Sequence, residues 1–536
     1  MTAGLLMEFT RRDDALLAAL LACGLLLLVA SQFVRVPYPI LLVLGGLVIA
    51  FIPGMPTVEL APNLVLVAVL PPLLYGSAFF TSLREFRANL KPILLLAIGL
   101  VLITMVAVAA AVHAVVPGLG WSGAFVLGAL VSPTDPTAAT SIAQRLGLPR
   151  RLIATIEGES LVNDGTALVA LKFAVAAVVT GTFSLAQATG DFALNVVGGV
   201  AVGVAVGYLI RQLRRRVNNP PVEITISLLS GYFAYLPARA LGVSGVIAAV
   251  TVGIYMGWHT PELTTAQVRL QGVAVWEVVF LILNSLLFAL VGLQLPSIVD
   301  GLSAHSTMEL AWYVAVVCAV VIGARFAWVF ASGFVGHALS RRFRHEDPAP
   351  SWASKVVLSW SGMRGAVSLA AALGLPLTVD SGASFPNRGL IIFLTFNVIL
   401  VTLVLQGLTL PGLIRVLDLE DDGLAEKEEA KARIYAAQAA IDRLGELERE
   451  DWVRADTAER LRGLYGFRQN RFRERFDADG DGSIEERSQA YQRLLRELID
   501  AERTAVEELR RERRIDDEVM RRVVRDLDLE ESRLDV

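Results

Sequence analysis

Runs of apolar residues long enough to cross a bilayer alternate with short polar connections from Asp14 to Leu417. A spanning helix needs about 20 mostly apolar residues, within a range of about 17–25. By that measure helices are predicted over 14–33, 38–53, 61–80, 91–116, 121–144, 151–180 and 190–210. More follow over 221–240, 243–258, 268–294, 308–337, 354–378 and 388–416. The pattern predicts an all-α polytopic membrane protein of about 13 transmembrane helices. After Asp418 the character changes. Glu, Arg, Asp and Lys crowd the chain, and a narrow apolar stripe recurs at helical spacing through Ile434, Ala437, Ile441 and Leu444. Residues 1–417 read as a membrane-embedded domain and 418–536 as a helical tail in water.

Arg11-Arg12 before the apolar run 15–30 resembles the start of a signal peptide, but no small-residue cleavage site follows. The run is expected to stay as the first span.

Charge placement gives the membrane domain a direction. Basic residues gather in alternate connections: Arg35; Arg84, Arg87 and Lys91; Arg145, Arg150 and Arg151; Arg211, Arg214, Arg215 and Arg216; Arg269; Arg341, Arg342, Arg344 and Lys355. The connections between them, around 59, 117–120, 181–184 and 300–306, carry almost none, with Arg11-Arg12, Arg239 and Arg388 as exceptions. Cytoplasmic loops collect Lys and Arg. The N-terminus is therefore expected outside the cell (inner) membrane and the tail in the cytoplasm, as an odd number of spans requires. The formal net charge of -4 leaves no nucleic-acid footprint. Cys23 and Cys318, the only two cysteines, lie inside apolar runs and make neither a disulfide framework nor a metal site.

Two predicted spans are interrupted. Ser132-Pro133-Thr134-Asp135-Pro136-Thr137 lies inside 121–144, and Ser361-Gly362-Met363-Arg364-Gly365 lies inside 354–378. Paired prolines remove backbone donors, and paired glycines weaken a helix. Unwound backbone at membrane depth belongs where protein buries it or a cavity hydrates it. As the fifth and twelfth spans, the two run in opposite directions, which fits inverted repeats with two crossing broken helices. Unrelated kinks are the plainer alternative, but each break also carries a charge.

Ionisable residues within spans are costly and mark function by default. Here they are Asp135, Glu157, Glu159, Asp164, Lys172, Glu277, Arg325 and Arg364. For Lys172, Glu277 and Arg325 a position near the interface is an equal alternative. The densest group is Glu157-Gly158-Glu159-Ser160-Leu161-Val162-Asn163-Asp164. Helical spacing puts Glu157, Ser160 and Asp164 on one stripe and Glu159 and Asn163 on its neighbour. These hard oxygen donors suit an alkali cation. Asp135 can offset a new helix N-terminus at its break, and Arg364 a new C-terminus. The remaining excess of acid is available to a cation or to protons.

In this order, Ser132-Pro133-Thr134-Asp135-Pro136, the group from Glu157 to Asp164, and Ser361-Gly362-Met363-Arg364-Gly365 continued by Ala366-Val367-Ser368 resemble the signature segments of bacterial sodium/proton exchangers of the monovalent cation:proton antiporter-1 family. The resemblance covers 1–417, which it makes a cation/proton exchanger domain with a six-helix core, and implies a homodimer serving pH homeostasis. It implies that Asp164 carries the ion and the proton. Ser160 and the Thr134 carbonyl would help ligate sodium, with Asp135 alongside and Asn163 in support, and Glu159 would pair with Arg364. An Asn-Asp pair implies electroneutral exchange. One position departs: Gly76 stands in Pro71-Pro72-Leu73-Leu74-Tyr75-Gly76, at or near a place where many exchangers carry an acid.

The expected function is secondary antiport of Na+, with Li+ and K+ as alternatives, against H+ by alternating access. It needs no cofactor, and its partners are ions and the bilayer. A passive channel or uniporter using the same polar core is the rival, and a membrane sensor signalling through the tail is a third class. No nucleophile motif or phosphate loop points to an enzyme. In the tail, Asp477, Asp479, Asp481 and Glu485 with Gly482 match part of a calcium-binding EF-hand loop, but Ser488 stands where the bidentate Glu belongs. An acidic turn between helices is the plainer reading.

Overall fold

A computed structural model describes residues 36–52, 65–182, 184–299, 306–343, 351–419, 423–474 and 483–532, together with 29, 33 and 534. Among these residues the regular structure is helical, and the one β contact is an isolated bridge between Thr378 and Ser384. The chain divides into two compact units, Met1–Glu420 and Asp421–Val536.

The first predicted span, 14–33, lies outside the described residues except at 29 and 33. The others fall on helices. In order these are α1 (Tyr38–Ala50), α2 (Val65–Phe80), α3 (Leu83–Ala88), α4 (Leu90–Val115), α5 (Trp121–Val131), α6 (Thr137–Arg145), α7 (Arg150–Thr180) and α8 (Leu185–Arg214). Next come α9 (Pro220–Ala240), α10 (Gly245–Leu263), α11 (Ala266–Leu293), α12 (Thr307–Phe343), α13 (Trp352–Trp360), α14 (Ala366–Leu373) and α15 (Arg388–Val416). By length and composition, α4, α7, α11, α15 and the greater part of α8 and α12 can each cross a membrane.

Local chemistry sets several of the starts. Asn219, Ser244, Thr265 and Ser351 each accept a bond from a backbone N–H three residues on, and Pro220-Pro221 open α9 where no donor is needed. Packing then relies on close approach, because lipid offers no hydrophobic drive between helices. Where α1 meets α11, a Cβ on Gly46 would collide with the Ala289 carbonyl, and one on Gly292 with the Val43 carbonyl. The fully buried centre draws on α5, α14 and α15 through Val126, Leu127, Leu369, Ile391 and Phe396. Leu194, Val197, Leu209, Ile282 and Trp312 instead point outward, an apolar exterior suited to lipid.

Both predicted interruptions are present. Residues 132–136 separate α5 from α6, and 361–365 separate α13 from α14. The two breaks touch: the Asp135 amide donates to the Met363 carbonyl at 2.8 Å. Gly365 permits this approach, since a Cβ there would collide with the Asp135 carboxylate.

The second unit holds α16 (Leu424–Leu447), α17 (Ala455–Glu474), α18 (Ser483–Arg511) and α19 (Asp517–Glu531). The stripe seen in the sequence lies along α16 with Ala437 buried, and Gln469 donates to Gln438 at 2.7 Å between α17 and α16. Ile499, Leu527 and Leu534 form a small core between α18 and the end of the chain.

Candidate ion-binding site

Helix α7 brings the acids together, and its two faces serve different surroundings. Glu157, Ser160 and Asp164 line a cavity of about 750 Å³, which Thr134 and Asp135 line from the α5–α6 break. Glu159 and Asn163 turn the other way, into protein. Tyr38 and Asn284, which no motif in the sequence marks, also line the cavity, as does Ser368 at the end of the third signature segment. Its mouth includes the exposed side chains of Gln144 and Arg150. Asp164 also borders a small void of about 10 Å³ among Leu130, Leu168, Leu171 and Val367. Asp164 thus has the cavity on one side and apolar packing on the other.

The Thr134 hydroxyl joins the buried face of α7 to the break. It donates to Glu159 Oε1 at 3.1 Å and accepts from Asn163 Nδ2 at 2.8 Å. Asn163 Oδ1 is buried without a hydrogen-bond partner among the described residues. An orphaned acceptor of this kind is costly unless something occupies it. Here it lies one residue from Asp164.

The breaks neutralise their own helix ends. Asp135 Oδ1 accepts from the Thr137 amide at 2.9 Å, placing a carboxylate at the start of α6. Arg364 Nε donates to the Val131 carbonyl, the last residue of α5, at 3.0 Å. Arg364 also donates to the Gly362 carbonyl, and its amide donates to Thr402 Oγ1 at 3.2 Å.

A family model for the transmembrane sodium/hydrogen exchanger matches residues 17–416. The chain belongs to the sodium/hydrogen exchanger family. It is 38% identical to an uncharacterised sodium/proton exchanger of Mycobacterium tuberculosis, over 97% of this chain and 95% of that one. It is 35% identical to the sodium, potassium, lithium and rubidium/proton antiporter of Bacillus subtilis, over 72% of this chain and 58% of that one. Its fold is similar to that of the sodium proton antiporter MjNhaP1 from Methanocaldococcus jannaschii, with a TM-score of 0.62 at 20% identity over 77% of this chain and 99% of that one. This exchanger is thus a multi-pass membrane antiporter and not an enzyme.

One expected pairing is different. Glu159 is held by Arg325 of α12 and not by Arg364: the guanidinium meets both carboxylate oxygens, at 2.5 and 2.9 Å. Both residues are almost fully buried, and Arg325 Nε also donates to the Leu358 carbonyl at 3.1 Å. The reason is geometric. Arg364 is committed to the carbonyls at the end of α5 and at its own break. Arg325 does not reach out to lipid: it is buried in protein, and Glu159 meets its charge. The available signal was an arginine in the middle of a long apolar run, where charge is costly. Lys172 and Glu277, by contrast, are exposed.

Gly76 is also explained by packing. A Cβ there would strike the rings of Trp276 and Phe280, so the exchanger has no room for a carboxylate at that position. The partial calcium loop falls mostly at 475–482, outside the described residues, and only the backbone of Glu485 is described, in α18.

Proposed function

We propose that this exchanger moves a monovalent cation, sodium in the first place, out of the cell as protons enter, by alternating access and without net charge transfer. The observation that carries the reading is the place of Asp164, a carboxylate without an ion pair or hydrogen bond among the described residues, on the wall of a cavity of about 750 Å³. A carboxylate so placed can hold a proton or a cation, and each displaces the other. The Ser160 hydroxyl and the Thr134 carbonyl supply neutral oxygens beside it, and Asn163 supports the site from behind through the Thr134 hydroxyl. Asp135 stays at the head of α6 and adds negative potential. An unloaded carboxylate is costly to carry through a dry barrier. That cost favours movement of loaded forms and opposes leakage.

The cavity mouth lies at the connections whose basic residues place them in the cytoplasm. On that reading the conformation is inward-facing, with the N-terminus outside and the tail inside the inner membrane. The 13-helix count, the inverted repeat joining the two broken spans and a homodimer belong to the same proposal. A single acid beside a neutral amide exchanges one charge for one, which is the basis for electroneutrality. Potassium and lithium stay open as cargo, since the Bacillus relative is named for both. Two broken helices that meet and carry opposite charges, Asp135 and Arg364, favour a carrier over a channel or uniporter.

The test is a pH-gradient assay in inverted membrane vesicles, with sodium, lithium, potassium and calcium added in turn. Cation-dependent collapse of the gradient that is insensitive to a clamped membrane potential is expected. Proton movement indifferent to every cation overturns the reading.

A further inference from the structure

A second cavity, separated from the exchange cavity by Phe80, lies at the basic end of α8 to α11. Its volume is about 230 Å³, and its apolar lining includes Phe79, Phe80, Ile224, Val268, Val273 and Trp276. Arg214, Glu223 and Arg269 line it too. Arg214 and Glu223 are almost completely buried and meet at 3.5 Å, a loose pairing for two such groups. Arg214 also donates to Thr260 Oγ1 at 3.1 Å, yet its Nε is buried with no partner among the described residues. Arg269 is exposed and held by one bond to the Thr264 carbonyl at 2.7 Å, so most of its donors remain free. The lining mixes buried residues such as Val268 and Trp276 with the exposed Phe80, Val273 and Arg269. The exposed Leu270 and Val278 on α11 continue the same apolar exterior.

We propose that this cavity binds a membrane glycerophospholipid, with the phosphodiester at Arg214 and Arg269 and part of one acyl chain in the apolar space. Three observations support this. Arg214 and Arg269 line the cavity with the single carboxylate of Glu223, leaving an excess positive charge where an anion is accommodated. The apolar part of the space, among Phe79, Phe80, Ile224 and Val273, is costly to leave empty and offers water no polar partners. Basic pockets between membrane helices at the cytoplasmic face suit phosphate headgroups. Glu223 disfavours a freely diffusing anion, and its presence makes the buried acyl chain necessary for affinity. Gly272 leaves the space open: a Cβ there meets nothing closer than Ile224 at 4.0 Å.

The test uses the full-length protein, purified in neutral detergent and stripped of lipid. Phosphatidylglycerol, phosphatidylethanolamine or inorganic phosphate is added, and bound mass is read by native mass spectrometry beside the unfolding temperature. One tightly held phospholipid per chain is expected, with a rise in unfolding temperature that inorganic phosphate does not reproduce. Arg269→Ala, a change at an exposed side chain, should weaken phospholipid binding about five-fold, the value of one basic residue near a lipid surface. Gly272→Leu fills the cavity and should abolish tight binding while the lipid-free protein melts no lower than wild type. Phospholipid held by both variants at wild-type affinity, or equal stabilisation by inorganic phosphate, overturns the proposal.

Discussion

Glu159 and Asp164 sit on one helix and have opposite surroundings. Glu159 is gripped through both oxygens by Arg325 and receives the Thr134 hydroxyl. Asp164 has no ion pair or hydrogen bond among the described residues and borders the cavity. A carboxylate with its lone pairs taken by a guanidinium has little left for cargo. One with free oxygens, facing water on one side and apolar packing on the other, is available. The difference between the faces of α7 thus separates a fixed charge that holds helices together from a charge free to exchange partners.

The largest effect expected is at the free acid. Asp164→Asn removes the carrier while keeping its shape, so cation-dependent proton movement should fall to the level of empty vesicles with the unfolding temperature near wild type. Robust exchange by a well-folded Asp164→Asn protein would end the distinction between the faces. The next effect belongs to the paired acid. Glu159→Gln strands Arg325, and breaking a buried pair costs about 3–5 kcal/mol. A cycle with Arg325→Met should restore part of the loss in detergent melts, whereas a cycle with Arg364 should show weaker coupling. Equal coupling to both arginines would blur the assignment. A smaller effect is expected where the breaks meet. Gly365→Ala pushes a methyl group against Asp135 and should slow exchange more than it lowers the unfolding temperature.

The smallest effect lies in the second unit, at an exposed pair where solvent removes the contrast altogether. Arg454, at 3.1 Å, holds the Asp456 carboxyl below its usual value of 3.8, with help from the Thr457 amide. A carboxyl lowered in the folded state supports the fold above its unfolded value and loses that support as pH falls through the folded one. Asp456→Asn should therefore speed amide exchange slightly at the start of α17 at neutral pH. The difference should fade well below pH 3.8. A difference that persists in acid would assign the effect to the side chain's shape and not its charge.

Much of this was legible in the chain itself. Apolar length set the helical membrane body, because a bilayer admits few alternatives to a helix. Pro133, Pro136, Gly362 and Gly365 marked both interruptions, since each acts on its own backbone. The three-four spacing placed Glu157, Ser160 and Asp164 together, and they do share the cavity. These are local effects, which sequence order records directly.

What tertiary structure alone decided is who meets whom. Arg325 lies 166 positions from Glu159, and no short motif joins them. Two arginines were available to one glutamate, and only the crossing of the breaks showed that the carbonyls of α5 and the second break already occupy Arg364. Tyr38, Asn284 and Ser368 line the cavity because distant helices close around it, and the rings of Trp276 and Phe280 explain Gly76 for the same reason. Charge, length and period are properties of neighbouring residues. Partnership between buried charges depends on packing of distant segments, and the linear chain does not contain that geometry.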